Sequence, residues 1–281
     1  MKISTVFEMY IQNYLTIKGY CKTQIDGYRR TELMLVGYLG DIDIEDVTVE
    51  DICRFLVSMS HQKRISQNTT GLYTTKVRQV LKWARRAGYN VIDYEMIPMP
   101  KRIPTIPRFL TEEEVSYLIK YANGVRGKLI LSMLYGSGLR ISELCSLNRD
   151  SIQDGCFSVV GKGAKMRLCF IDARSKRLLD QYLDSRKDSN EALIITHLGT
   201  RLTPVAIQEV VRGAVKRAGL ENRHITPHTL RHSFATNFLE NNGNLRYLQE
   251  LLGHANLQTT QIYTHVVDSG LKDAYLRYHT C

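Results

Sequence analysis

The stretch IPMPKRIPTIPRF, residues 97–109, decides how the chain is organised. Four of the six prolines in the 281-residue sequence, Pro98, Pro100, Pro104 and Pro107, fall within ten residues. Each proline removes a backbone donor and holds the chain extended, so the sequence predicts a stiff, solvated linker over 98–108. Lys101, Arg102 and Arg108 make it basic. A chain of this length is comfortable as two domains. The expected domains are therefore 1–97 and 109–281.

Working outward, every periodic segment before the linker is helical. Val6, Tyr10, Tyr14 and Ile17 recur at helical spacing over 5–20. A second helix is predicted over about 23–39. Thr48 as cap, with Glu50 and Asp51 in the first turn, marks a third. In SQNTTGLYTTKVRQVLKWARRAGY, residues 66–89, Tyr73, Val77, Val80, Leu81 and Ala84 form one apolar stripe. Lys76, Lys82, Arg85 and Arg86 lie largely off that stripe, and Gly88 ends the helix.

After the linker, Thr111 caps a helix that opens on three glutamates. GKLILSMLYGSGLRISELCSL, residues 127–147, reads as a buried helix broken at Gly136–Gly138, with a new helix starting near Arg140. CFSVVGKGAKMRLCFID, residues 156–172, has β character on both sides of GKGAK and predicts a hairpin. From 173 onward the pattern is helical again. The expected fold is mainly α: a helical N-terminal domain, then a mixed, mostly α domain with a small β-hairpin sheet.

The net charge of +10 and a pI near 9.3 favour a polyanionic partner. Residues 1–100 carry 13 Lys and Arg against 11 Asp and Glu, and residues 101–281 carry 25 against 17. Between Asp51 and Asp93 there is no acid at all, while Arg54, Lys63, Arg64, Lys76, Arg78, Lys82, Arg85 and Arg86 fall in that window. The six cysteines form no C-x-x-C pair and suggest neither a disulfide framework nor a zinc cage. Reduced thiols in a cytoplasmic protein are the simple reading. Neither a secretion signal nor a run of about 18 apolar residues is apparent.

The chemistry concentrates in ITPHTLRHSFATNF, residues 225–238. Thr226 and Pro227 look like a helix cap and first-turn proline. Helical spacing puts His228, Arg231 and His232 on one side, facing a cleft or solvent, with Leu230 and Phe234 roughly opposite. Three readings compete: an ordinary charged helix face, a zinc pair, or a phosphate site. For zinc, Thr229 stands where zinc proteases carry a glutamate, Arg231 is a cation poorly placed beside a dication, and a third ligand is needed. A phosphate site needs a second cation, a nucleophile and a proton donor. Arg140 follows a glycine-rich break at a helix start, which suits an anion; it could equally pair with Glu143 at i, i+3. Lys162, between two glycines, is a mobile cation or a solvated turn lysine. Gly253 puts His254 at a chain reversal, and Tyr263 follows nine residues later, as nucleophile or as one more buried tyrosine among 16.

Taken together, Arg140, Lys162, His228, Arg231, His254 and Tyr263 resemble the tyrosine recombinase (phage integrase) family. The matching stretches are GSGLRISEL, GKGAK, TPHTLRHSFATNFL and LLGHANLQTTQIYTHV, in the family's order and spacing. The resemblance covers nearly the whole chain and is strongest to two-domain, Xer-type members. It implies a SAM-like core-binding domain, a basic connector and a catalytic domain, clamped around duplex DNA as four protomers on paired core sites. Tyr263 would form a 3′-phosphotyrosyl bond, with no metal or nucleotide cofactor. His228 would act as base, Arg140 and Arg231 as phosphate clamp, His254 as a further donor and Lys162 as acid toward the leaving oxygen. Lys76, Lys82, Arg85, Arg86, Lys101 and Arg102 are the expected DNA contacts. The tail, VVDSGLKDAYLRYHTC, would pack into a neighbouring protomer. The chain departs from the family in reading LCFID after the hairpin, where relatives often have a proline. A type IB topoisomerase, which shares the chemistry, and a catalytically silent DNA-binding protein are the alternatives.

Overall fold

The computed structural model describes residues 1–62, 65–101, 108–161 and 166–253, with His61 and Gln62 as backbone alone. The chain divides into two compact units, Met1–Thr105 and Ile106–Cys281. The division falls inside the proline-rich stretch.

The main elements among the described residues of the first unit are four helices: α1 (Ile3–Tyr10), α2 (Lys22–Leu39), α3 (Val49–Gln62) and α4 (Gln67–Arg86). Local signals set the helix starts. Thr48 and Asp51 exchange side-chain-to-backbone hydrogen bonds at the start of α3, and the Ser66 hydroxyl accepts the Thr69 N–H at the start of α4. Val77, Val80, Leu81 and Ala84 of α4 are buried with Phe7, Phe55 and Ile52, as their stripe predicts. The N-terminal helix differs from expectation. It continues from Tyr10 as a π-helical segment, Ile11–Thr16. The wider π turn shifts the phase of the face, so Ile11 and Leu15 are buried while Ile17 is 79% exposed. At the other end of the unit, Ile97 is fully buried, whereas Pro98 and Lys101 are exposed.

The second unit is built around α6 (Gly124–Gly136), which packs against α5 (Glu112–Lys120), α8 (Ala173–Asp184), α9 (Pro204–Arg217) and α10 (Pro227–Glu240). Leu129, Ile130, Leu131, Met133 and Leu134 of α6 are all fully buried, and each contributes roughly 1.5–3 kcal/mol relative to exposure. α5 starts in a capping box between Thr111 and Glu114. α7 (Ile141–Ser146) follows the glycine break, and α11 (Leu245–Leu252) follows α10. The strands β1 (Cys156–Val160) and β2 (Met166–Phe170) form an antiparallel pair with Val160 opposite Met166 and Cys156 opposite Phe170. Phe157, Val159, Arg167 and Cys169 face inward. Val160, Met166, Leu168 and Phe170 face solvent.

Candidate active site

α10 is fixed by polar groups as much as by packing. Thr226 caps it, accepting the Thr229 N–H. The Leu110 N–H donates to Ser233 Oγ at 2.8 Å, and Asn237 Nδ2 donates to the Leu110 carbonyl and the Tyr135 hydroxyl. These buried bonds orient the helix that carries His228, Arg231 and His232. The three do not share one environment. His228 is exposed in the first turn, and His232 is half-buried. Burial lowers the His232 pKa below the ordinary imidazole value, and the nearby His228 and Arg231 push it the same way. Arg231 corrects the expectation of a trio facing a cleft or solvent: it is only 6% exposed. The turn between α6 and α7 and the end of α11 cover it, which a helical wheel of α10 alone does not contain. Its Nη1 donates to the Gly138 carbonyl at 2.5 Å and its Nη2 to the Leu252 carbonyl at 2.7 Å.

Gly138 permits that approach. Its φ is +57°, and a Cβ there would lie 2.6 Å from the Phe234 ring, so the turn needs glycine on two counts. Two residues later Arg140 stands at the N-cap of α7 with its side chain 28% exposed. The Arg140–Glu143 pair, weighed from sequence as a bland i, i+3 contact, turns out to be the centre of the site. Glu143 is 3% exposed. Its Oε1 accepts Arg140 Nη1 at 2.7 Å, and its Oε2 accepts the Arg140 N–H at 2.7 Å. The same Oε2 accepts Arg167 Nη2 at 2.7 Å and lies 3.8 Å from Arg231 Nη1. Burial alone would raise the Glu143 pKa; the Arg140 N–H and the Arg167 and Arg140 guanidinium groups more than offset it and hold the carboxyl below its usual range.

One buried carboxylate thus positions Arg140 and Arg231, two cations that sequence reading had assigned to a phosphate. Arg167 was not singled out from sequence at all. No sequence signal pointed to it, because the alternation of Met166, Leu168 and Phe170 reads Arg167 as facing outward. Lys162, His254 and Tyr263 lie outside the described residues, as do Arg102 and the tail. Among the described residues no three His, Cys, Asp or Glu side chains converge as a metal site, and no helix is long and apolar enough to cross a membrane.

The cations of α4 are held differently. Lys82 lies 5.4 Å from the Tyr94 ring centroid and Arg85 pairs with Asp93 at 2.8 Å. Lys82, Arg85 and Arg86 are exposed. Lys76 is drawn inward instead: its Nζ donates to the Gly27 carbonyl at 2.9 Å and lies 5.7 Å from the ring centroids of both Tyr28 and Tyr73. Burial lowers its pKa.

The family profile described as the phage integrase family matches residues 108–269. Tyrosine recombinase XerA of Pyrococcus horikoshii is 42% identical over 82% of this chain and 94% of that protein. Tyrosine recombinase XerD of Oceanobacillus iheyensis is 34% identical over 93% of this chain and 94% of that protein. The Tn1549 transposon integrase, solved with transposon right end DNA, shares the fold at a TM-score of 0.80 and 19% identity, covering 99% of both chains. A profile match across more than half of the sequence, joined to relatives above 30% identity along most of it, means that this chain belongs to the phage integrase family, as an Xer-like tyrosine recombinase that performs site-specific DNA recombination.

Proposed function

We propose that Tyr263 is the nucleophile of this recombinase and that Arg140, Lys162, His228, Arg231 and His254 serve it on the scissile phosphate of duplex DNA. The observation that carries the reading is the arrangement of Arg140 and Arg231 around the buried Glu143 carboxylate. Arginines fixed in this way meet a phosphate with little further ordering, and preorganised charge is what stabilises the extra negative charge of a pentavalent transition state. A tyrosine has a reference pKa of about 10, so only about one in a thousand is ionised at neutral pH. His228, exposed at the start of α10, takes the phenolic proton as Tyr263 attacks phosphorus. The P–O bond to the 5′-oxygen breaks, and Lys162 protonates that oxygen, since an alkoxide leaves poorly. His254 donates to the same phosphate. The 3′-phosphotyrosyl bond keeps the energy for rejoining to a partner strand's 5′-hydroxyl, with no metal or nucleotide.

In this reading the first unit is the core-binding domain, the stretch 98–108 the connector and the second unit the catalytic domain. Lys82, Arg85, Arg86, Lys101 and Arg102 contact phosphates, and Lys76 does so while tethering α4 to α2. Four protomers, with or without a related recombinase, assemble on paired core sites in the cytoplasm. The reaction serves resolution of chromosome or plasmid dimers, or integration and excision of a mobile element. Solved relatives include an integrase bound to transposon end DNA and a tetramer bound to a Holliday junction, which supports the assembly. A suicide DNA substrate tests the chemistry. Wild-type protein should form a covalent adduct, and Tyr263→Phe should lose it while binding the same DNA. An adduct that persists in Tyr263→Phe refutes the nucleophile.

A further inference from the structure

Arg167 sits in the middle of β2 with its side chain turned inward beside Phe157, Val159 and Cys169. A cation placed there must be paired and hydrogen-bonded. Its guanidinium reaches two acceptors on different elements. Nη2 donates to Glu143 Oε2 at 2.7 Å, the oxygen that also accepts the Arg140 N–H. Nη1 donates to the Leu251 carbonyl in the last turn of α11. The aliphatic stem passes close to Gly253, where a Cβ would lie 2.6 Å from Arg167 Cδ and where φ is +62°. Gly253 directly precedes His254, and the same segment runs on to Tyr263. One side chain therefore joins β2, the carboxylate that holds the arginine pair, and the end of α11 at Leu251 and Gly253.

We propose that Arg167 is a positioning residue for the cleavage step, one that fixes the last turn of α11 against Glu143. The arginine pair and the end of α11 then share a single geometry. The proposal rests on the phosphate reading of Arg140 and Arg231 given above. Arg167 touches no substrate; it acts through Glu143 and the α11 turn. A lysine at this position keeps the charge but not the planar fork that serves two acceptors at once.

The test is Arg167→Lys in single-turnover cleavage of a suicide substrate, with an ordinary scissile phosphate and with a neutral methylphosphonate there. Misplacement of catalytic groups on this scale should slow cleavage by about tenfold to a hundredfold. Affinity for uncleavable DNA should stay unchanged. The deficit should shrink on the methylphosphonate, because a neutral phosphate leans less on the arginine pair. Wild-type rates in Arg167→Lys, a loss that appears only in DNA affinity, or an equal deficit on both substrates overturns the proposal. Absence of a covalent adduct in wild-type protein overturns the underlying phosphate reading instead. Should Arg167→Lys not fold, Arg167→Gln, in which Glu143 keeps Arg140 and Arg231 as its charged partners, is read by the same rate criteria.

Discussion

On α4, Lys82, Arg85 and Arg86 lie at the surface, Lys82 over Tyr94 and Arg85 against Asp93, whereas around α7, β2 and α10 three arginines are gathered on one buried carboxylate. The surface cations keep their hydration and their rotamer freedom. Salt screens them over about 10 Å at 0.1 M. Such charges raise affinity for a polyanion without demanding one geometry. The buried set has surrendered hydration and freedom on folding, and Glu143 offsets the desolvation. What it gains is a fixed arrangement before any substrate arrives. On the proposed function, basic side chains serve attraction in one unit and alignment in the other.

The contrast can be broken most forcefully at Glu143. Glu143→Ala leaves three arginines around an empty position, and removing one partner of a buried pair typically costs about 3–5 kcal/mol. Denaturant unfolding should show a loss of that size, with cleavage lost as well. A change under about 1 kcal/mol would mean that the carboxylate is no more committed than a surface ion pair. A smaller effect should appear with pH. The folded-state pKa of Glu143 is lowered from 4.5, so its stabilisation is fully present above that value and is lost as pH falls through the folded-state pKa. Urea midpoints measured from pH 7 down to pH 3 should decline over that acid window, and the decline attributable to this group should vanish in Glu143→Gln. The smallest effect on stability belongs to α4. Lys82→Ala and Arg86→Ala should each leave unfolding within about 0.5 kcal/mol of wild type. Each should reduce the salt dependence of DNA binding by about one phosphate contact. A salt slope unchanged in both would remove α4 from the DNA-binding surface.

What the sequence makes legible is what neighbours in sequence decide. Thr48, Thr111 and Thr226 announce their helices because caps act within three residues. The hairpin around GKGAK and the break at Gly136–Gly138 are equally local. The phase of the N-terminal helix was lost because a π turn over Ile11–Thr16 is not visible in a spacing of apolar residues. Arg231 was expected near solvent because its cover comes from Gly138 and Leu252, each on another element. Glu143 read as a surface partner of Arg140 for the same reason: the third cation arrives from a strand 24 residues away. Lys76 looked free until Gly27 of α2 was placed beside it.

The hairpin carries one more consequence. Its second strand hides Arg167 and shows Met166, Leu168 and Phe170 to solvent. Apolar pattern alone would choose the opposite face. Sliding β2 by a single residue would accomplish that, since strand side chains alternate. Glu143, though, can be met only when Arg167 points inward, opposite Val159. The ion pair therefore works as a key that admits one of two pairings of the same strand, and the exposed apolar edge is the mark left by the pairing that was refused.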